Sequence, residues 1–115
     1  MFDQVHPKGW GHEKWIVNNE MYCGKLLIFN KNRRCSFHYH KLKTETFYLQ
    51  SGLIKLIHSF QDEIETAEEI VLQPGDSFHV PIGMRHQMVA LEESELFEFS
   101  TQHFESDSYR IVRGD

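Results

Sequence analysis

The sequence predicts an all-β fold, a sandwich or barrel of short strands, and three observations carry that prediction. Runs rich in β-branched and aromatic residues recur along the chain, each ended by polar turn residues or by Gly and Pro. Several of these runs alternate with period two, as half-buried strands do. No segment holds a long apolar stripe at the 3.6-residue period of a helix.

The elements follow in order. Residues 1–18 read as an N-terminal arm, with Trp10 and Trp15 as packing anchors and His6 and His12 exposed. The run MYCGKLLIF (21–29) is the first barrel strand, closed by the polar NKNRR. CSFHYH (35–40) is a second, followed by the turn KLKT, and ETFYLQ (45–50) a third, ended by Ser51 and Gly52. LIKLIHSF (53–60) is a fourth. The one weak helical candidate, DEIETAEEI (62–70), reads instead as a turn feeding the strand EEIVL (68–72). Pro74 and Gly75 then turn the chain into SFHVP (77–81), and Pro81 to Gly83 turn it again into HQMVAL (86–91). Proline fixes φ and glycine permits positive φ, so both suit tight turns. ELFEFST (95–101) is the last long strand, and residues 105–115 form a C-terminal tail.

At 115 residues the chain is one domain, with the barrel spanning 19–104. A net charge of −5 gives no support to binding nucleic acid or an anionic membrane, which takes a basic face. No apolar run approaches a membrane span, and the N-terminus lacks the apolar stretch of a signal peptide, so the cytoplasm is the expected location. Cys23 and Cys35 are expected to be reduced, buried and small-hydrophobe-like.

The chemistry begins with eight histidines, of which three have partners at meaningful spacing. Residues i and i+2 of a strand share a face, so His38 and His40 project together, about 7 Å apart at their base. Glu45 opens the next strand after a four-residue turn and can swing across. His86 opens the strand that follows the Pro81–Gly83 turn and faces inward. Imidazoles and a carboxylate are poor core material and good metal ligands; burying the carboxylate unpaired costs several kcal/mol. Phe47 and Met88 should line the same cavity, whereas Tyr39 faces away from the histidines. His58, His79 and His103 lack such partners and read as structural or exposed.

These residues resemble the cupin superfamily. Its first motif, His-x-His, four residues, Glu, six residues, Gly, is matched by His38, His40, Glu45 and Gly52. Its second is matched by Gly75, Pro81, Gly83 and His86. Two positions depart: Asn32 stands where a glycine is expected, though Asn also tolerates the left-handed region, and Ala90 stands where an asparagine is expected. The resemblance implies a double-stranded β-helix, or jelly-roll barrel. It also implies one divalent transition-metal ion (Zn, Mn, Fe, Ni or Co) held by His38, His40, Glu45 and His86. The ends narrow the likeness further. KGWGHEKWIVN (8–18) and LFEFSTQHFESDSYRIVRGD (96–115) are similar to the opening and ending of the C-terminal domain of type II mannose-6-phosphate isomerases. Glu105, Asp107 and Arg110 fall on that ending's acidic residues and arginine.

An aldose–ketose isomerase acting on a sugar or sugar phosphate is therefore the leading expectation. A dioxygenase or lyase acting on a small organic acid, and a non-catalytic metal-dependent binding module, are the alternatives. Isomerisation needs a base, and three residues compete for that role. Glu98 qualifies if Leu96, Glu98 and Ser100 face the cavity, but apolarity alone favours the register with Phe97 and Phe99 inward. Glu45 qualifies when not tightly coordinated. Lys25 interrupts an apolar strand, where the plainer reading is an outward lysine. Arg110 suits a substrate phosphate, or else a surface ion pair with Glu105 or Asp107. A homodimer is expected, because open sheet edges invite pairing and the arm from Phe2 to Trp15 can reach a neighbour.

Overall fold

The computed structural model describes residues 4–115, and among them the chain is built of eleven strands. β1 (Gln4–Lys8) and β2 (Gly11–Asn18) form a hairpin, and β3 (Cys23–Phe29) follows. Next come β4 (Phe37–Tyr39), β5 (Glu45–Ser51) and β6 (Ile54–Ser59). The weak helical stretch is a single 3-10 turn (Ile64–Thr66) leading into β7 (Glu68–Leu72), as its reading as a turn anticipates. β8 (Ser77–Val80), β9 (Arg85–Ala90), β10 (Ser94–Ser100) and β11 (Tyr109–Val112) complete the chain.

The strands form two antiparallel sheets, ordered β1-β2-β3-β10-β5-β8 and β11-β4-β9-β6-β7. Several neighbours in each sheet are distant in sequence, β3 and β10 or β4 and β9 for example, which is the jelly-roll pattern of strands returning from the opposite sheet. The main core lies between the sheets. Leu27, Phe29, Leu49 and Leu96 come from the larger sheet, Ile54 and Leu56 from the smaller. A second cluster, around Phe37, Ile57 and Val89, covers the other face of the smaller sheet. Asn32 takes φ 69°, so the residue standing in place of a glycine does adopt the left-handed region. Gly52 is held to glycine by space: a Cβ there would meet the Glu93 carbonyl oxygen at 2.4 Å.

Three expectations need correction. Residues 4–18, expected as an arm free to reach a neighbour, pair with their own chain: β2 lies along β3 with Gly11 opposite Phe29 and Asn18 opposite Cys23. The Phe2 end of that arm lies outside the described residues. Trp10 is the packing anchor expected of it, stacked on Phe29 at 4.1 Å. In β10 the register opposes the one favoured by apolarity. Leu96 and Glu98 are buried, while Phe99 is 55% exposed on the outer face, stacked with Phe97 at 6.0 Å. The cause is pairing: Glu98 sits opposite Lys25 and Phe47 on its two neighbours, and the buried Lys43 ammonium, 3.0 Å away, compensates its charge. Lys25, whose plainer reading is an outward lysine, points inward and is 2% exposed.

Candidate metal centre and its cavity

β4 and β9 lie side by side with His38 directly opposite His86, so their side chains share the inner face. His40 follows β4, and Glu45 opens β5 on the facing sheet. One ring nitrogen from each of His38, His40 and His86 lies within 4.8 Å of the others. The Glu45 carboxylate completes the group, its Oε2 2.9 Å from His86 Nε2 and 3.3 Å from His40 Nε2.

The outer nitrogens fix the chemistry of the inner ones. His38 Nδ1 lies 2.8 Å from the Ser36 carbonyl oxygen, His86 Nδ1 3.0 Å from that of Met84, and His40 Nδ1 2.5 Å from that of Asp107. A carbonyl only accepts, so each Nδ1 carries a hydrogen and each Nε2 is the ring nitrogen turned to the centre. Burial, then the neighbouring His86 and His40, holds His38 well below the usual imidazole range, which keeps it neutral. His86 Nε2 and Glu45 Oε2 are both buried without a hydrogen-bonding partner despite their closeness. Acceptor atoms this near one another repel unless a cation lies between them. A proton bridges two such atoms; three lone pairs and a carboxylate suit a divalent transition metal. The residues therefore fit the expected ion.

Beside this group lies a second buried cluster. Lys43 Nζ is 3.0 Å from Glu98 Oε2 and 3.4 Å from Glu45 Oε1, so one ammonium joins the carboxylate beside the histidines to a second carboxylate. Burial opposes the Lys43 charge, but Glu98 and Glu45 outweigh it and raise the ammonium above the usual lysine range. Ser100 Oγ donates to the same Glu98 oxygen at 3.0 Å. Lys43 also donates to His103 Nδ1 at 3.1 Å. Burial and the positive charges of Lys43 and Lys25 pull His103 down to about 3, so it is neutral at physiological pH. Lys25 sits 3.5 Å from Glu13 Oε1 and 4.3 Å above the Trp15 ring, whose Nε1 donates to Glu13 Oε1 at 2.8 Å. Burial works against the Glu13 carboxylate, yet Lys25 and the Trp15 hydrogen bond hold it below the usual range.

All of this faces one cavity of about 330 Å³. Every residue singled out in the sequence for metal, base or substrate lines it: His38, His40, Glu45 and His86, Glu98 and Lys25, Phe47, Met88 and Arg110. The Arg110 ion pair with Glu105 or Asp107 is not formed. Asp107 is instead 3% exposed, its carboxylate accepting the backbone N–H groups of Lys41, Leu42 and Lys43 at 2.8 to 3.2 Å. Sequence reasoning missed Lys43, Glu13, Asp107 and the cavity roles of Trp15 and His103. Lys43 had a signal: it lies two residues before Glu45, and period-two parity puts both on one face. Asp107 and His103 act across 60 or more residues, with no local signal. Cys23 and Cys35 are free and buried, as expected, and burial pushes the Cys35 thiol up to about 12.

Comparison with known proteins agrees with this architecture. The family model described as "Cupin domain" matches residues 25–99. The capsular polysaccharide assembling protein CapF of Staphylococcus aureus superposes with a TM-score of 0.80 at 14% identity, over 94% of this chain and 34% of CapF. KdgF from Halomonas sp. does so with a TM-score of 0.76 at 19% identity, over 92% of each chain. Oxalate decarboxylase from Bacillus subtilis does so with a TM-score of 0.79 at 17% identity, over 94% of this chain and 30% of that one. The chain thus spans about a third of CapF and of the decarboxylase, and nearly all of KdgF; at these identities the likeness is one of fold. No curated protein matches the sequence. Among the described residues, no helix is long and apolar enough to cross a membrane.

Proposed function

Because this chain belongs to the Cupin domain family, we propose that it is a metal-dependent aldose–ketose isomerase of a small sugar or sugar phosphate, holding one divalent transition-metal ion through His38, His40, Glu45 and His86. The observation that carries the reading is the Glu98–Lys43 pair, an acid–base couple buried in the same cavity and bridged to Glu45. The chain ends, similar to those of type II mannose-6-phosphate isomerases, support the choice of reaction.

When bound, the ion supplies charge that polarises a substrate carbonyl. The chain's own groups move the proton. Glu98 Oε2 is held by Lys43 and Ser100, which leaves Oε1 free of protein donors among the described residues and able to act as the base. It takes the proton from the carbon beside the carbonyl, the carbonyl oxygen gains a proton, and a cis-enediol forms. Returning the first proton to the former carbonyl carbon, with loss of a hydroxyl proton at its neighbour, completes the shift. Lys43 keeps Glu98 aimed and offsets its charge. Glu45 is committed to the histidines and Lys25 to Glu13, so Glu98 is the base of the three candidates. Phe47 and Met88 exclude water from the reacting carbons.

The test uses protein loaded with Mn, Co, Zn, Fe or Ni and a panel of aldoses and aldose phosphates in deuterium oxide. Ketose formation is expected, with deuterium at the former carbonyl carbon to the extent that the proton held by Glu98 exchanges with solvent before it is returned. His86→Ala should abolish metal uptake and turnover together and leave the circular dichroism of the fold intact. Tight sugar binding without exchange would replace this reading with a non-catalytic binding module. Oxygen consumption with iron alone would replace it with an oxygenase. A homodimer belongs to the same reading, supported by Ile16, Tyr22 and Phe99 on the outer face of the larger sheet, each more than half exposed. A monomer by light scattering at micromolar concentration would refute it.

A further inference from the structure

β11 sits at the edge of the smaller sheet beside β4, and its register places Arg110 opposite His38, on the inward face. Tyr109 faces outward, stacked on Tyr39 at 5.2 Å with Lys41 Nζ 4.4 Å above its ring. In a regular strand Arg113, three residues on, would point away from Arg110. A bulge prevents this. Arg110 opposes His38 and Val112 opposes Phe37, with Ile111 inserted between them. Ile111 and Val112 both pack on the outer apolar cluster, and the parity resets so that Arg113 lines the cavity with Arg110. Bulges beside functional sites re-aim side chains in this way.

The segment that carries Arg113 is fastened beyond it. A Cβ on Gly114 would come within 2.3 Å of the Cys35 carbonyl carbon. Asp115 N–H donates to the Arg34 oxygen at 2.9 Å, and Arg34 N–H donates to Asp115 Oδ2 at 2.8 Å. The two guanidiniums nevertheless have no ion pair or hydrogen bond among the described residues. Of the three lysines that line the same cavity, Lys25 and Lys43 are paired, with Glu13, Glu45 and Glu98, and Lys8 forms no ion pair among the described residues. The nearby acids do not take the arginines: Asp115 is turned to Arg34, and Glu105 lies by His103 at 4.0 Å with a side chain 78% exposed.

We propose that Arg110 and Arg113 form an anion subsite, and that the substrate is a monosaccharide-sized molecule carrying a carboxylate or phosphate. Guanidinium forks bind such groups bidentately, and about 330 Å³ is at the small end of ligand sites, enough for a single sugar. The inference rests on the isomerase reading for the sugar, and on the bulge for the anion.

The experiment measures binding of D-gluconate, D-sorbitol and inorganic phosphate to Mn-loaded protein by calorimetry. Gluconate and sorbitol share a six-carbon polyol chain and differ in the carboxylate. Gluconate should bind about 10- to 100-fold more tightly than sorbitol, the range of a charge-assisted hydrogen bond. The double variant Arg110→Gln/Arg113→Gln should lose that preference and keep its Mn affinity, and each single variant should lose part of it. Phosphate binding lost in the double variant assigns the subsite to phosphate as well as carboxylate; phosphate binding unchanged restricts it to carboxylate. A preference that survives the double substitution reflects chelation by the metal and overturns the subsite, as does equal or absent binding of gluconate and sorbitol. The outcomes stay separate from those of the isomerase test: anion preference without turnover sinks the reaction and keeps the subsite, and turnover of aldose phosphates by the double variant equal to that of the unsubstituted protein does the reverse.

Discussion

The two ends of the barrel interior are built from the same strands and the same inward alternation, yet they have opposite chemistry. At one end Leu96 of β10 lies opposite Leu27 of β3 and Leu49 of β5. Two residues further along β10, Glu98 lies opposite Lys25 and Phe47, and Ser100 opposite Glu45. The smaller sheet repeats the pattern, with Ile54 opposite Ala90 at the apolar end and His58 opposite His86 at the other. Inward direction alone therefore does not make a residue part of the core. Position along the strand decides whether burial stabilises the fold by removing apolar surface from water or holds charges ready at a cost in desolvation.

The sharpest way to separate the two ends is to change neighbours on one strand. Glu98→Gln keeps size and shape but removes the base; kcat should fall by about 10²- to 10⁴-fold, with the melting temperature and metal content little changed. Leu96→Ala, two residues away, should do the opposite. It should cost about 2–5 kcal/mol in urea unfolding and leave metal content per folded molecule unaltered. Equal effects of both variants on activity and stability would erase the distinction. Asp107→Asn tests how far the charged end extends. It weakens the carboxylate that fixes residues 41–43 beside the carbonyl that orients His40, and metal affinity should drop by roughly 10- to 100-fold, read by competition with a chelator. The smallest effect is on pH dependence. Folded His103 resists protonation down to about 3, whereas the unfolded chain takes up a proton near 6.5. The unfolded state thus binds more protons between those values, and stability should fall as pH drops from about 6.5 toward 3. His103→Gln should flatten that slope in thermal melts, while Leu96→Ala, at the end without charges, should leave it unchanged.

The same division explains what the sequence reveals. The strands between residues 21 and 101, the turns and the four candidate ligands are legible because they depend on local spacing: parity places His38 with His40, and Gly and Pro mark the turns. The apolar end is legible only in part: alternation from Phe47 reaches Leu49, whereas the register favoured by apolarity turns Leu96 outward. The charged end is misread where burial depends on a distant partner. Phe97 and Phe99 outrank Glu98 on apolarity, and nothing near Glu98 announces Lys43, 55 positions away. Lys43 itself hides in KLKT, a turn whose composition suggests solvent. Asp107 sits in a polar tail, and its role depends on backbone groups 64 to 66 positions earlier.

That last separation bears on how the protein is made. The imidazole of His40 is oriented by a carbonyl 67 residues downstream, so a nascent chain still emerging from the ribosome lacks the clasp that readies its ligands. On the proposed reading, an ion would then be gripped fully only after Asp107 and the strand β11 beyond it have docked. By the same logic, fraying of that strand is the natural route by which a held ion would leave.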